Sequence, residues 1–209
     1  MFQDRTDAAR QLGLALAQLR GQRPLVLAVP RGAVPMGPIL AEALEGDFDV
    51  VLVRKLGAPG NAEYAIGAVD EAGNVYLNPD LAAHVDPAYL AQETARQRAV
   101  LSRRRTQYGG ARIDPAGRLV VVVDDGVATG ATLIAALDAV RAQRPARLVV
   151  AVGVAPAGAV ARLRAHADEV VCLHVPQDFY AVGQFYRDFE PVEDEHVRQL
   201  LLDWQRGCG

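Results

Sequence analysis

Apolar runs separated by small-residue turns set the rhythm of this chain. Residues 25–29, 49–53, 119–123, 147–154 and 169–175 are short, largely β-branched segments with little polar alternation. Such runs read as strands buried on both faces, and strands of that kind belong to parallel sheets covered by helices. Helical spacing fills the gaps. Ala8, Leu12, Leu16 and Leu19 form one apolar face, capped by Thr6 or Asp7; Ile39, Leu40 and Leu44 form another. Residues 133–140, 156–166 and 192–204 continue the alternation, which implies right-handed crossovers and an α/β fold, a doubly wound and mainly parallel sheet flanked by helices.

Two stretches break the rhythm. Residues 65–70 and 74–77 flank Glu71-Ala72-Gly73 and read as a hairpin. The Gly-, Pro- and Asn-containing residues 56–64 before it read as a mobile loop. Together, 55–78 form a small hairpin lid able to open to water and close over a ligand. Asp86-Pro87 then starts a long helix running through Leu90, Gln97 and Leu101 towards Tyr108. Residues 176–186 are dense in aromatics. The predicted organisation is one domain over 1–209, with a core sheet in 24–175, the lid in 55–78 and a carboxyl-terminal hood with a terminal helix in 176–209.

Composition narrows the chemistry. With 209 residues and 51% apolar content the chain can fill one sizeable core. Its 22 basic and 25 acidic residues leave a formal charge of −3, which gives nucleic acid or an anionic membrane no global attraction. Cys172 sits in an apolar strand and Cys208 in the tail, so no disulfide framework is expected. Four scattered histidines and two distant cysteines offer no zinc spacing. No apolar run is long enough to span a bilayer, and the polar opening is unlike a signal, so a cytoplasmic location is expected.

The chemistry concentrates in residues 119–132. Five apolar residues deliver Asp124 and Asp125 to a strand's carboxyl end, where open α/β sheets bind ligands. Gly126, Val127, Ala128, Thr129, Gly130, Ala131 and Thr132 then form a small-residue loop running into a helix. Such a loop lets backbone N–H groups approach a phosphate, and the helix amino terminus adds positive potential. Two carboxylates beside a phosphate cradle make sense together for a sugar phosphate, whose vicinal hydroxyls donate to the acids. An Asp pair and a Gly turn also serve as a plain helix cap. The loop is not a Walker A sequence, because no Lys follows Gly130.

Residues 120–132 resemble the 13-residue phosphoribosyl-pyrophosphate (PRPP) motif of type I phosphoribosyltransferases, in the form found in adenine phosphoribosyltransferases. The resemblance implies a type I phosphoribosyltransferase fold and transfer of phosphoribosyl from PRPP to a nitrogenous base, purine-type, with release of pyrophosphate. It implies that Asp124 and Asp125 hold the ribose hydroxyls and reach Mg²⁺ directly or through water, and that Gly126 to Thr132 wrap the 5′-phosphate. Hypoxanthine-type enzymes carry a third Asp where this chain has Ala128. Pro30-Arg31-Gly32-Ala33 is similar to the family's pyrophosphate loop, placing Arg31 and Gly32 against the leaving group, with a strained non-proline peptide bond expected at Gly32. Taken alone, Arg31 also reads as a surface turn residue.

Arg54-Lys55 resembles the pair that opens the catalytic loop, which implies catalytic and pyrophosphate-binding roles for both. Glu63, in a Glu-Tyr pair late in that loop, is the candidate for managing the base proton; a solvated carboxylate is the other reading. The hood loosely resembles the base-binding segment of hypoxanthine-type enzymes and nominates Phe179 as the stacking ring, beside a reading of ordinary packing. His174 reads as a core imidazole. Arg96, Arg98, Arg103, Arg104 and Arg105 form the one basic cluster, read as a solvated helix face ahead of RNA or a neighbouring subunit's phosphate pocket. The implied partners are PRPP, a small nitrogenous acceptor and a second copy in a homodimer. The rival reading is a PRPP-sensing regulator that binds nucleic acid without turnover.

Overall fold

The computed structural model describes residues 1–82, 84–109 and 112–207; Cys208 lies outside them. In chain order the elements are α1 (Arg5–Ala15) followed by a 3-10 turn (Ala17–Leu19), β1 (Leu25–Ala28), α2 (Met36–Leu44), β2 (Asp47–Val50), β3 (Val53–Ala58), β4 (Asn61–Asp70) and β5 (Val75–Leu77). They continue with α3 (Pro79–Ala82), α4 (Pro87–Tyr108), β6 (Leu119–Gly126), α5 (Ala131–Ala142), β7 (Arg147–Val154), α6 (Ala157–Leu163), β8 (Glu169–His174), a 3-10 turn (Val182–Phe185) and α7 (Asp194–Gly207).

The main sheet has five parallel strands in the order β2-β1-β6-β7-β8. Its central strand β6 holds four consecutive fully buried valines, Val120 to Val123. Side chains alternate across a strand, so Val121 and Val123 join the core under α1 and α2, while Val120 and Val122 join the core under α5 and α6. Each buried valine contributes roughly 1.5–3 kcal/mol, whereas an exposed ion pair contributes about 0–1. The apolar run therefore dictates the centre of the sheet. The doubly wound fold follows from it.

Residues 49–53, read as one strand, divide between two sheets. β2 ends at Val50, and β3 joins a separate antiparallel sheet, β3-β4-β5. The segment 56–64, expected as a loop, is mostly strand turning at Gly60 (φ +75°), while the hairpin around Gly73 (φ +89°) forms as predicted. A polar clamp ties this small sheet to the main one. Arg105 on α4 donates to Asp49 Oδ1 (2.8 Å) and Glu71 Oε2 (2.6 Å), with all three side chains largely buried. The basic cluster is thus not a uniform solvated face, because Arg105 is consumed inside the fold. α1 also starts earlier than predicted. Asp4 accepts from the Asp7 amide (2.7 Å) and caps the helix, with Asp7 inside the first turn.

Candidate active site

β6 ends where its neighbours diverge, and a cleft of about 350 Å³ opens there. Pro30 and Gly32 form one wall, Asp124 and Asp125 the floor, and residues 126–133 the other wall. Gly126 cannot carry a Cβ, because it would collide with Val182 of the hood. Gly130 sits in the left-handed region (φ +80°) as the cap residue of α5, and its carbonyl accepts from the Ile134 amide (2.8 Å). The first-turn N–H groups of α5 thus have no side-chain cap, leaving donors and helix potential for an anion. Arg162 on α6 donates to the Thr129 carbonyl (2.7 Å) and holds the loop from behind.

Asp125 is the best-anchored group of the site. Arg5 Nε donates to its Oδ2 at 2.8 Å, in an ion pair whose side chains are only 11% and 10% exposed. The same guanidinium lies 3.9 Å over the Phe189 ring and donates from Nη1 to the Glu190 carbonyl (2.8 Å). Tyr186 donates its hydroxyl to the Asp125 carbonyl at 2.6 Å, and a Cβ on Gly153 would strike both groups. A Cβ on Gly32 would collide with the Asp125 carboxylate, so the two loops touch through a glycine. Sequence reading missed Arg5. It stands 120 residues from its partner in a polar lead, and no local pattern marks it.

Among the described residues, no cation pairs with Asp124 in this way. Burial, and then the adjacent Asp125 carboxylate, push its pKa well above the ordinary value. One acid is therefore neutralised by the protein and the other is left wanting a proton, a hydroxyl donor or a metal. The loop on the facing wall contains a cis peptide bond, Pro30-Arg31, one bond before the Gly32 position expected from sequence. The Arg31 side chain is exposed and, among the described residues, meets only Glu193, at 3.5 Å.

The expected lid residues stand elsewhere. β3 alternates, so Arg54 and Lys55 point to opposite faces and cannot form one clamp in this conformation. Arg54 donates to Gln97 Oε1 on α4 (2.5 Å), whereas Lys55 lines a separate groove of about 330 Å³ between the small sheet and α5. The Glu63 side chain lies outside the described residues. Phe179 stacks on Phe185 with centroids 5.6 Å apart and is half-buried. His174, expected in the core, is exposed and meets Phe185 edge-on at 5.3 Å, because β8 is an edge strand and its last residue projects past the helices.

A family model described as the phosphoribosyl transferase domain matches residues 2–190. Two Mycobacterium tuberculosis proteins, from strains H37Rv and CDC 1551, carry the names "Putative phosphoribosyl transferase Rv0571c" and "Putative phosphoribosyl transferase MT0597". Each is 45% identical over 205 residues, covering 96% of this chain and 46% of the relative, so the chain spans about half the length of these curated relatives. The crystal structure of TT1426 from Thermus thermophilus is 51% identical and superposes with a TM-score of 0.90 over 97% of this chain and 98% of that one. Among the described residues, no helix is long and apolar enough to cross a membrane.

Proposed function

Because the chain belongs to the phosphoribosyl transferase domain family, we propose that its cleft binds PRPP and transfers the phosphoribosyl group to a planar nitrogenous base, releasing pyrophosphate. One observation carries this reading. Two adjacent carboxylates lie in a single cleft between an uncapped helix amino terminus and a glycine-containing second loop, which suits a ribose carried between its 5′-phosphate and its pyrophosphate.

Asp124, lacking a cation, accepts from a ribose hydroxyl, while Asp125 contributes its remaining oxygen from a fixed position. The amides of residues 126–132 take the 5′-phosphate, and the loop of Arg31 and Gly32 faces the leaving group. The ribose carbon gains positive charge as pyrophosphate departs, so preorganised donors around the leaving group and exclusion of water lower the barrier. The donor set fits Mg²⁺. Among the described residues no third ligand joins the two carboxylates, which suits a cation that arrives with substrate phosphates and keeps several waters. Asp124 and Asp125 would hold such a cation, which would offset pyrophosphate charge. Phe179 and Phe185 supply aromatic surface for the acceptor, and closure of the small sheet brings Lys55 towards the cleft.

The test is thermal stabilisation by PRPP with Mg²⁺, followed by pyrophosphate release with a panel of nucleobases. A rise in melting temperature that is lost in Asp124→Asn/Asp125→Asn, and turnover with at least one base, is expected. No stabilisation by PRPP would remove the reading.

A further inference from the structure

Arg104 is the one half-buried arginine with no hydrogen bond or ion pair among the described residues. The other half-buried arginines are all engaged: Arg5 with Asp125, Arg54 with Gln97, Arg105 with Asp49 and Glu71, Arg118 with Asp47, and Arg198 with Glu195. An unpaired guanidinium removed from water costs stability unless something recovers it. Its position suggests what does. Arg104 lines a hollow of about 40 Å³ with Val29 and Pro30, the entry to the Arg31 loop, and with Thr132, the end of the loop around the cleft. Pro30 and Thr132 also line the main cleft, so the hollow and the cleft share a wall.

The nearby acids are already occupied. Glu193 meets Arg31, and Asp194 accepts from the Tyr108 hydroxyl at 2.7 Å. Burial pushes the pKa of that hydroxyl up and its bond to Asp194 adds to the rise, while the charges of Arg104 and Arg31 both oppose it. The charges of two guanidiniums, one from α4 and one from the β1–α2 loop, therefore both reach this hydroxyl, and among the described residues no carboxylate pairs with Arg104.

Resting on the PRPP reading above, we propose that Arg104 binds the pyrophosphate end of the substrate, entering from the α4 side opposite Arg31. A planar fork with five donors suits a diphosphate, and it joins the role that the family resemblance implied for Arg31, Gly32, Arg54 and Lys55. The basic helix thus contributes one member to the site, one to the fold's internal clamp and the rest to the surface.

Calorimetry on the full chain with three probes tests the assignment: inorganic pyrophosphate with Mg²⁺, PRPP with Mg²⁺, and ribose 5-phosphate. Arg104→Gln should weaken pyrophosphate and PRPP roughly tenfold to hundredfold, the range of a lost charge-assisted bond, while ribose 5-phosphate affinity holds and the ligand-free melting temperature is no lower than wild type. Arg104→Lys, which keeps the charge without the fork, should fall between. Unaltered pyrophosphate binding in Arg104→Gln overturns the assignment, and so does an equal loss for ribose 5-phosphate, which would mean general distortion. Wild-type protein that binds PRPP while Arg104→Gln matches it sinks this inference alone; wild-type protein that binds neither PRPP nor ribose 5-phosphate sinks the functional reading with it.

Discussion

The cleft at the end of β6 and the small sheet β3-β4-β5 are built on opposite principles. In the cleft, Asp125 is held from two directions, by Arg5 at its carboxylate and by Tyr186 at its carbonyl, and Gly32 leaves no room for a side chain against it. The small sheet instead hangs from the main one through buried Val51 and Leu52 and the Arg105 clamp, with its two candidate cations on opposite faces. Preorganised dipoles need no rearrangement when charge develops, while a cover must be free to move. On the proposed reading, the anchored half receives the sugar phosphate and the small sheet completes the site.

The largest effect should come from unpairing Asp125. Arg5→Ala leaves a buried carboxylate without its cation and should cost about 3 kcal/mol of stability, roughly 6–12 °C in melting temperature for a chain of this size. Arg54→Ala, its counterpart on the small sheet, breaks a bond to neutral Gln97 and should cost about 1–2 kcal/mol. Equal losses would contradict the division.

One substitution made in both regions sharpens it further. Gly32→Ala pushes a methyl group into the Asp125 carboxylate and should weaken PRPP binding and slow turnover about hundredfold, since an ångström's misplacement costs that much in rate. Gly60→Ala meets open space and carries only a backbone cost of roughly 1–2 kcal/mol, with PRPP affinity unchanged. Titration of PRPP against both variants checks the pair.

Much of this contrast was legible in the sequence, for a physical reason. The run 119–132 is local: strand, acids, loop and helix cap occupy consecutive residues, so periodicity and turn chemistry locate the cleft without tertiary information. The fate of Arg54 and Lys55 was not legible, because it depends on the chain leaving one sheet for another after Leu52. Arg5, Tyr186 and Arg105 act through partners 120, 61 and 56 residues away, and no spacing encodes those contacts. His174 alternates correctly with apolar neighbours, yet it ends an edge strand, and edge position is a property of the assembled sheet.

A pH dependence separates the two acids. The raised pKa of Asp124 means that the native chain holds a proton that the unfolded chain releases near pH 3.8. Stability of the ligand-free protein should therefore fall as pH climbs from the unfolded value through the native one, and remain lower above it. Asp124→Asn should flatten that fall and melt higher than wild type at neutral pH, yet gain less from PRPP with Mg²⁺. Melting curves across pH 3 to 8, with and without ligand, check the sign.

The smallest binding effect is expected on the moving half. Lys55→Ala removes a side chain that does not line the cleft, so PRPP affinity should hold while pyrophosphate release slows. A loss of affinity without a change in rate would place Lys55 at the resting site and reverse the contrast.

Backbone amide shifts during a titration with ribose 5-phosphate test the central claim most directly. The largest changes should fall on residues 126–132, with smaller ones at 31–32 and little in 53–77. Shifts concentrated in the small sheet, or none at the loop after Asp125, would contradict it.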